Sequence, residues 1–125
     1  MEQLVKDYSV TEQQTAKHVG SGDLDVLATP SLVAMFENCA KELLADVLQP
    51  EQTSVGFTME LKHLAPSRVG ATITVTAEIC AQHKNRVDFQ LTATDGTRKV
   101  GEAQHQRVIV NAAHFMEKLA QDQNV

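Results

Sequence analysis

One segment constrains the fold of this chain more than any other: a long helical repeat that is apolar on most of its faces. From residue 29 onward, apolar residues recur at three- and four-residue steps, at Leu32, Phe36, Cys39, Ala40, Leu43 and Val47. Four more apolar residues widen this surface beyond one stripe, namely Val33, Met35, Leu44 and Leu48. Because a helix that is apolar almost all round is buried on several sides, we expect the rest of the chain to enclose it.

The ends of this helix are marked by residues with known positional preferences. Thr29 is a good N-cap, and Pro30 suits the first helical position, where its missing N–H group costs no hydrogen bond. Pro50 disfavours helix in the residue before it, so we expect the helix to end near Gln49.

After the helix the hydrophobic period changes to two, which is typical of strands with one buried face. The predicted inward residues of three strands are Val55, Phe57, Met59 and Leu61, then Ile73, Val75, Ala77 and Ile79, then Val87, Phe89, Leu91 and Ala93. The Asp95–Gly96 pair predicts a tight turn before a further strand from about Arg98 to Val110. Short connections make these neighbours antiparallel.

Two further elements complete the predicted order. An opening strand is expected around Val5 to Val10, and a short final helix after Asn111. We expect Asn111 to cap that helix and Phe115 and Leu119 to face inward. One enclosed helix followed by an antiparallel meander predicts an α+β chain in which the sheet wraps the helix, the architecture of the hotdog fold. At 125 residues, of which 42% are apolar, we expect one domain over residues 1–125.

Composition excludes several classes of protein. Sixteen acidic residues against eleven Lys and Arg give a net charge of −5, the wrong sign for coating nucleic acid or an anionic membrane. Cys39 and Cys80 are too few and too far apart for a disulfide scaffold or a zinc site, which favours a reducing compartment. Met1 to Gln3 does not begin a secretory leader, so the expected location is cytoplasmic. No metal or cofactor is predicted.

Four residues are candidates for chemistry, each with a structural alternative. His63 shares parity with Leu61 and so points inward at the end of a core strand, as a base or as a hydrogen-bonded structural residue. Glu37 lies in the middle of the enclosed helix, either in a cleft or on a solvent strip paired with Lys41.

Thr29 is the third candidate, as a cap or as a hydroxyl at a helix N-terminus, where backbone N–H groups stabilise negative charge. Gly56 is the fourth, because a glycine inside a strand indicates a bulge or a close backbone approach. His105 could also face inward, but its strand carries polar residues on both faces, so the alternation does not show which face is buried.

Together these residues match a family. The run from Val26 to Glu37, then Ser54-Val55-Gly56, then His63-Leu64-Ala65-Pro66, resembles the hotdog thioesterases related to fluoroacetyl-CoA thioesterase. The spacings of 8 residues from Thr29 to Glu37 and 26 from Glu37 to His63 agree with the Thr, Glu and His catalytic set of that family. The resemblance extends from about Val5 to Phe115.

The resemblance implies an acyl-CoA thioesterase. Thr29, Glu37 and His63 would be its catalytic residues, and Gly56 would supply an oxyanion-hole amide. It also implies a site at the interface of a homodimer or higher homo-oligomer. The alternative is a non-catalytic module that holds an acyl-CoA or a related metabolite in the same groove. No aromatic residue occurs between Tyr8 and Phe36, so no hydrophobic gate over a fluorinated acyl group is predicted.

Overall fold

The computed structural model describes residues 3–123, which form one five-stranded antiparallel sheet with a long helix packed against it. The strands are β1 (Gln3–Ser9), β2 (Gln52–His63), β3 (Thr72–His83), β4 (Arg86–Asp95) and β5 (Arg98–Asn111), in the spatial order β1-β3-β4-β5-β2. The helices are α1 (Ala16–Val19), α2 (Thr29–Ala45) and α3 (Ala112–Gln123). The expectation about a leader at Met1 and Glu2 lies outside the described residues.

Helix α2 supplies one half of the core and the inner face of the sheet supplies the other. Its buried residues are Leu32, Met35, Phe36, Cys39, Ala40, Leu43 and Leu44. Strands β3 and β4 bury Ile73, Val75, Ala77, Val87, Phe89, Leu91 and Ala93 against them, as the two-residue period predicts. The predicted hotdog arrangement of an α+β chain is therefore confirmed. Within residues 3–123, no helix has both the length and the apolarity needed to cross a membrane.

Helix α2 differs from the prediction at both ends. Its N-cap is Ala28, whose carbonyl accepts from Ser31 and Leu32, so Thr29 is the first helical residue and its predicted role as N-cap is wrong. The last helical residue is Ala45 rather than Gln49, and Val47 follows in a turn with 58% of its surface exposed. The N-terminal shift of one residue has a local cause, since the Thr29 hydroxyl bonds to another side chain instead of to the helix.

Strand β2 does not follow one alternation along its length. The register with β5 shifts between Gly56 and Thr58, which is a β-bulge at residue 57. Before the bulge, Ser54 is buried and the Cβ direction of Gly56 points toward Glu37, so the even positions face inward. After the bulge the odd positions 59, 61 and 63 do so. Phe57 is therefore 62% exposed, and its predicted inward orientation is wrong. Val55 is only half-buried for the same reason.

The final helix forms where predicted, but it packs differently. The Asn111 side-chain oxygen accepts from the His114 backbone N–H at 3.0 Å, which confirms the predicted cap. Phe115 and Leu119 are 41% and 40% exposed, so the prediction that they face inward is wrong. Helix α3 packs mainly on the end of β5, and within residues 3–123 it has no second layer to cover its apolar side.

Candidate functional site

The first part of the site is a hydrogen-bonded pair formed by Thr29 and His63. Thr29 opens helix α2 and His63 closes strand β2, and 2.8 Å separates Thr29 Oγ1 from His63 Nδ1. Burial lowers the pKa of His63 below its ordinary value, so the imidazole is neutral at pH 7. Its other nitrogen, Nε2, is buried and makes no hydrogen bond within the described part of the chain. A neutral imidazole in contact with a hydroxyl is an arrangement suited to proton transfer.

A cavity of about 330 Å³ lies beside this pair. Its walls come from the loop before α2 and from the segment that follows β2, and they carry mostly small or aliphatic side chains: Ala16, Ser21, Val26, Leu27, Ala28, Leu64, Ala65 and Pro66. The cavity therefore gives a small, mainly apolar group access to both Thr29 and His63.

The second part of the site is built around Glu37 and Gly56. A Cβ atom at position 56 would lie 2.5 Å from Glu37 Oε2, closer than side chains approach each other, so only glycine leaves room for this carboxylate. The two sequence-based interpretations of Gly56, a bulge and a close approach, are thus both present. Glu37 is 42% exposed, and its ion-pair partner is Arg107 at 3.8 Å rather than Lys41. The carboxylate is therefore partly exposed and faces a buried cation on strand β5, so the predicted pairing with Lys41 is wrong.

A buried cation supports this carboxylate. Arg107 is 7% exposed at its side chain, and it donates from Nε to Ser54 Oγ at 2.8 Å and from Nη2 to the Ser54 carbonyl at 3.0 Å. Its Nη1 lies 3.2 Å from His105 Nε2. Burial lowers the pKa of Arg107 and the Glu37 charge opposes that shift, so the guanidinium remains charged.

Sequence reasoning left His105 undecided and did not single out Arg107. Both face inward on β5, where the odd positions from 101 to 107 are buried. Gly101 and Ala103 share that parity and are small, whereas the even positions on either side hold Glu102, Gln104 and Gln106. That contrast indicates that the odd positions of β5 face inward, because small residues pack against a helix and long polar residues face solvent. The sequence therefore held a signal for the orientation of His105 and Arg107.

The structure thus divides the four predicted residues into two pairs within one chain. Thr29 contacts His63, and Glu37 contacts Gly56. Thr29 and Glu37 are eight residues apart on one continuous helix, a rise of about 12 Å. Gly56 and His63 are seven residues apart on one strand, roughly 20 Å. Among residues 3–123 no group of three His, Cys, Asp or Glu side chains is placed to hold a metal ion.

The chain is similar to known proteins over most of its length. The sequence matches the family described as FlK, fluoroacetyl-CoA-specific thioesterase, over residues 10–113. It is 27% identical to the fluoroacetyl-CoA thioesterase of Streptantibioticus cattleyicolor, over 96% of this chain and 91% of that protein. A crystal structure of a mutant FlK superposes with a TM-score of 0.91 at 27% identity, covering 97% of this chain and 94% of the other.

A more distant structure shares the fold. A hypothetical Thermus thermophilus protein, described as a thioesterase superfamily member, superposes with a TM-score of 0.89 at 22% identity and covers 98% of this chain and 90% of its own. Since the family match spans most of the sequence, the chain belongs to the fluoroacetyl-CoA-specific thioesterase family.

Proposed function

We propose that the protein hydrolyses acyl-CoA thioesters at a site shared by two copies of the chain. One copy contributes Thr29 and His63, and the other contributes Glu37 and Gly56. The observation that carries this proposal is the hydrogen-bonded Thr29–His63 pair beside a small apolar cavity, in a chain of a thioesterase family. Thioester hydrolysis needs a proton acceptor, a nucleophile or activated water, and donors to the carbonyl oxygen, and no single pair supplies all of these.

Distance is the reason for invoking a second copy. A thioester carbon and its two substituents span only a few ångströms, whereas about 12 Å of helix separates Thr29 from Glu37 in one chain. Reacting groups must approach to within about 3.5 Å of one another. A second copy in the opposite orientation removes the conflict, because its Glu37 and Gly56 can face the Thr29 and His63 of the first.

Strand β2 is the surface we assign to this contact. It is an edge of the sheet, so the backbone groups on its outer side have no strand partner within residues 3–123. It is twelve residues long, and exposed Phe57 and Leu64 lie on and beside it. Antiparallel pairing of two β2 strands about a twofold axis near the middle of the strand brings the His63 end of one copy to the Gly56 end of the other.

Each group then has a role in this mechanism. Neutral His63 accepts a proton from the Thr29 hydroxyl or from a water held beside it. Gly56 supplies a backbone N–H group near the carbonyl oxygen, where negative charge develops as the thioester is attacked. Glu37, held by buried Arg107, either orients a water that attacks the thioester carbon or attacks that carbon itself to form an anhydride that water then hydrolyses. In both cases the carbon–sulfur bond breaks, CoA leaves as the thiolate, and the acyl group leaves as the free acid.

The substrate class follows from the relatives and the cavity. Solved FlK structures include one with acetyl-CoA and one with fluoroacetate and CoA. We infer that this protein takes acyl-CoA esters with a small acyl group, as in those complexes, and that the acyl group lies in the cleft beside Thr29 and His63. No aromatic side chain occurs from Gly20 to Asp25, so fluoroacetyl specificity is not part of the proposal. The proposal includes one domain over residues 1–125 and a cytoplasmic location, supported by one connected core and two free cysteines.

A thiol-release assay with a panel of acyl-CoA esters tests the activity. We expect turnover of short acyl esters, and loss of most turnover in folded His63→Ala and Glu37→Ala proteins. Wild-type protein that releases no CoA from any ester would contradict the proposal.

Mixed dimers test the sharing of the site. Glu37→Ala and His63→Ala proteins are each expected to be inactive, but co-refolding them at equal amounts builds one complete site in each mixed dimer. Half of the dimers are mixed and each has one intact site of two, so we expect about a quarter of wild-type activity. No recovery in a mixture shown to exchange subunits would place all four residues in one chain.

A further inference from the structure

His105 is a buried titratable side chain to which the proposed mechanism gives no role. It is 1% exposed and lies on the inner face of β5, with the ring of Phe89 at a centroid distance of 6.0 Å. Burying a histidine costs free energy of folding unless both ring nitrogens find hydrogen-bond partners within the protein. Both nitrogens have one, the Thr58 backbone carbonyl of β2 and the Arg107 side chain of β5.

The hydrogen bonds assign the protons of this ring. Arg107 can only donate, so its contact at 3.2 Å makes His105 Nε2 an acceptor. The proton of the neutral ring is then on Nδ1, which donates to the Thr58 carbonyl at 2.6 Å. Burial lowers the pKa of His105, in agreement with a neutral ring.

The two partners of His105 define the surroundings of Glu37. Thr58 is the residue with which β2 resumes its pairing after the bulge, so the first hydrogen bond holds the bulge closed. Arg107 is the ion-pair partner of Glu37, so the second fixes the cation that faces the carboxylate. The His105 ring also approaches Gly56 directly, since a Cβ there would lie 3.5 Å from His105 Cε1.

We propose that His105 is a positioning residue for thioester hydrolysis. It joins the 56–58 bulge and the Arg107 guanidinium into one hydrogen-bonded unit and thereby sets the Glu37 carboxylate against the Gly56 backbone. This inference rests on the proposed function. His105 touches neither substrate nor reacting atoms in this scheme, so it affects the rate only through Glu37 and Gly56.

Two substitutions separate the two hydrogen bonds. In His105→Asn the amide nitrogen can take the place of Nδ1 and donate to Thr58, but nothing accepts from Arg107. In His105→Gln the amide oxygen can take the place of Nε2 and accept from Arg107, but the bond to Thr58 is lost. We expect each to lower kcat by about 10-fold or more while KM stays within about threefold, and His105→Ala to lower kcat by about 10²-fold, the usual effect of a misplaced reacting group.

The control is His83→Asn, because His83 is exposed at the end of β3, and its substitution should leave both constants unchanged. Circular dichroism at the assay temperature measures the folded fraction of every variant. Folded Asn and Gln variants with wild-type kcat overturn the proposal, and so does a loss of turnover that only matches a loss of folded protein.

Nitrogen-15 NMR of the imidazole tests the same unit without turnover. We expect His105 to carry its proton on Nδ1 at pH 7, and a proton on Nε2 overturns the assigned hydrogen bonds. Wild-type hydrolysis is measured before any variant is compared. Its absence contradicts the proposed function, whereas normal wild-type turnover with insensitive His105 variants contradicts only the role of His105.

Discussion

The Thr29 hydroxyl bonds to the His63 ring instead of capping its own helix. Its neighbour Ala28 provides the carbonyl that closes the first turn. Loss of the hydroxyl therefore removes a contact to His63 while leaving the backbone hydrogen bonds of the helix in place. Stability and activity should respond differently to substitution here.

We predict that Thr29→Ser keeps most activity and that Thr29→Val, which has the same shape but no hydroxyl, loses about 10²-fold or more in kcat. Each 1.36 kcal/mol of lost transition-state stabilisation is tenfold in rate. The free energy of unfolding should change by less than about 1 kcal/mol in both variants, because no cap is lost. Steady-state kinetics and urea unfolding measure the two quantities. A Val variant with wild-type kcat would remove Thr29 from the mechanism.

Alanine substitutions at Gly56 and at Gly96 should have different effects, one on turnover and the other on stability. At Gly56 the new methyl group would displace the Glu37 carboxylate, so we expect Gly56→Ala to lower kcat by about 10²-fold while the protein remains folded. Gly96 has a φ of +64° in a turn with nothing within 4 Å, so Gly96→Ala should cost about 1 kcal/mol of stability and leave kcat unchanged. Kinetics and thermal unfolding of both variants test this. Equal kinetic effects would show that the close approach at Gly56 has no special role.

For single residues, chemical type and the alternation of inward and outward positions along a strand predicted several features of the site. They predicted that His63 faces inward and that Gly56 permits a close approach. They could not identify the partner of Glu37, because Arg107 is 70 positions away in the sequence and only the pairing of β2 with β5 brings it near. Which of these residues act in catalysis stays a prediction.

Among the elements, helix α2 and strands β3 and β4 were predicted well, because a helix or strand buried along its length shows its period directly in the sequence. Strand β2 was predicted in position, but in phase only after the bulge. Gly56 indicated a bulge or a close approach without showing which residue the bulge adds, so the alternation across Phe57 misleads. The position and the N-cap of helix α3 were predicted correctly. Its sequence pattern does not show whether its apolar face packs against the rest of the same chain.

We predict that the edge of β2 carries the dimer contact. Wild-type protein should sediment at twice the 13.7 kDa mass of the chain, and Phe57→Glu should shift it toward the monomer, since charge on an edge strand opposes pairing. Activity should fall with the dimer, because the two halves of the site separate. Val5→Glu is the control, as Val5 is 56% exposed on β1, the opposite edge of the sheet. A Phe57→Glu protein that remains dimeric and active would contradict the β2 assignment.

For the whole molecule, the buried His105 ring and the half-buried His63 ring couple stability to pH. Burial lowers the pKa of both His63 and His105 in the folded protein, so the unfolded chain takes up protons at a higher pH than the folded one. Their contribution is present above the unfolded value of about 6.5 and is lost as pH falls toward the folded values. We predict that the free energy of unfolding decreases from pH 7 to pH 5, measured by urea titration. A flat profile would contradict the burial of both rings.

The fold class and the family were both predicted from the sequence and are confirmed. The sequence did not show which of the candidate residues contact one another. Spacing along one chain gave Thr29 and Glu37 a separation too large for one reaction centre, and only the three-dimensional placement of Gly56 and His63 indicates how two copies could complete it.

The bulge at residue 57 has a consequence for how this gene can vary. Residues 56 and 58 pair with the consecutive residues Arg107 and Gln106, so Phe57 is the residue that the bulge adds to β2. A chain from which codon 57 is deleted would therefore keep the other residues of the strand in register and on their present faces, with Gly56 toward Glu37 and His63 toward Thr29. A deletion at position 57 should cost the bulge and the Phe57 side chain, but it should not reverse the phase of the strand.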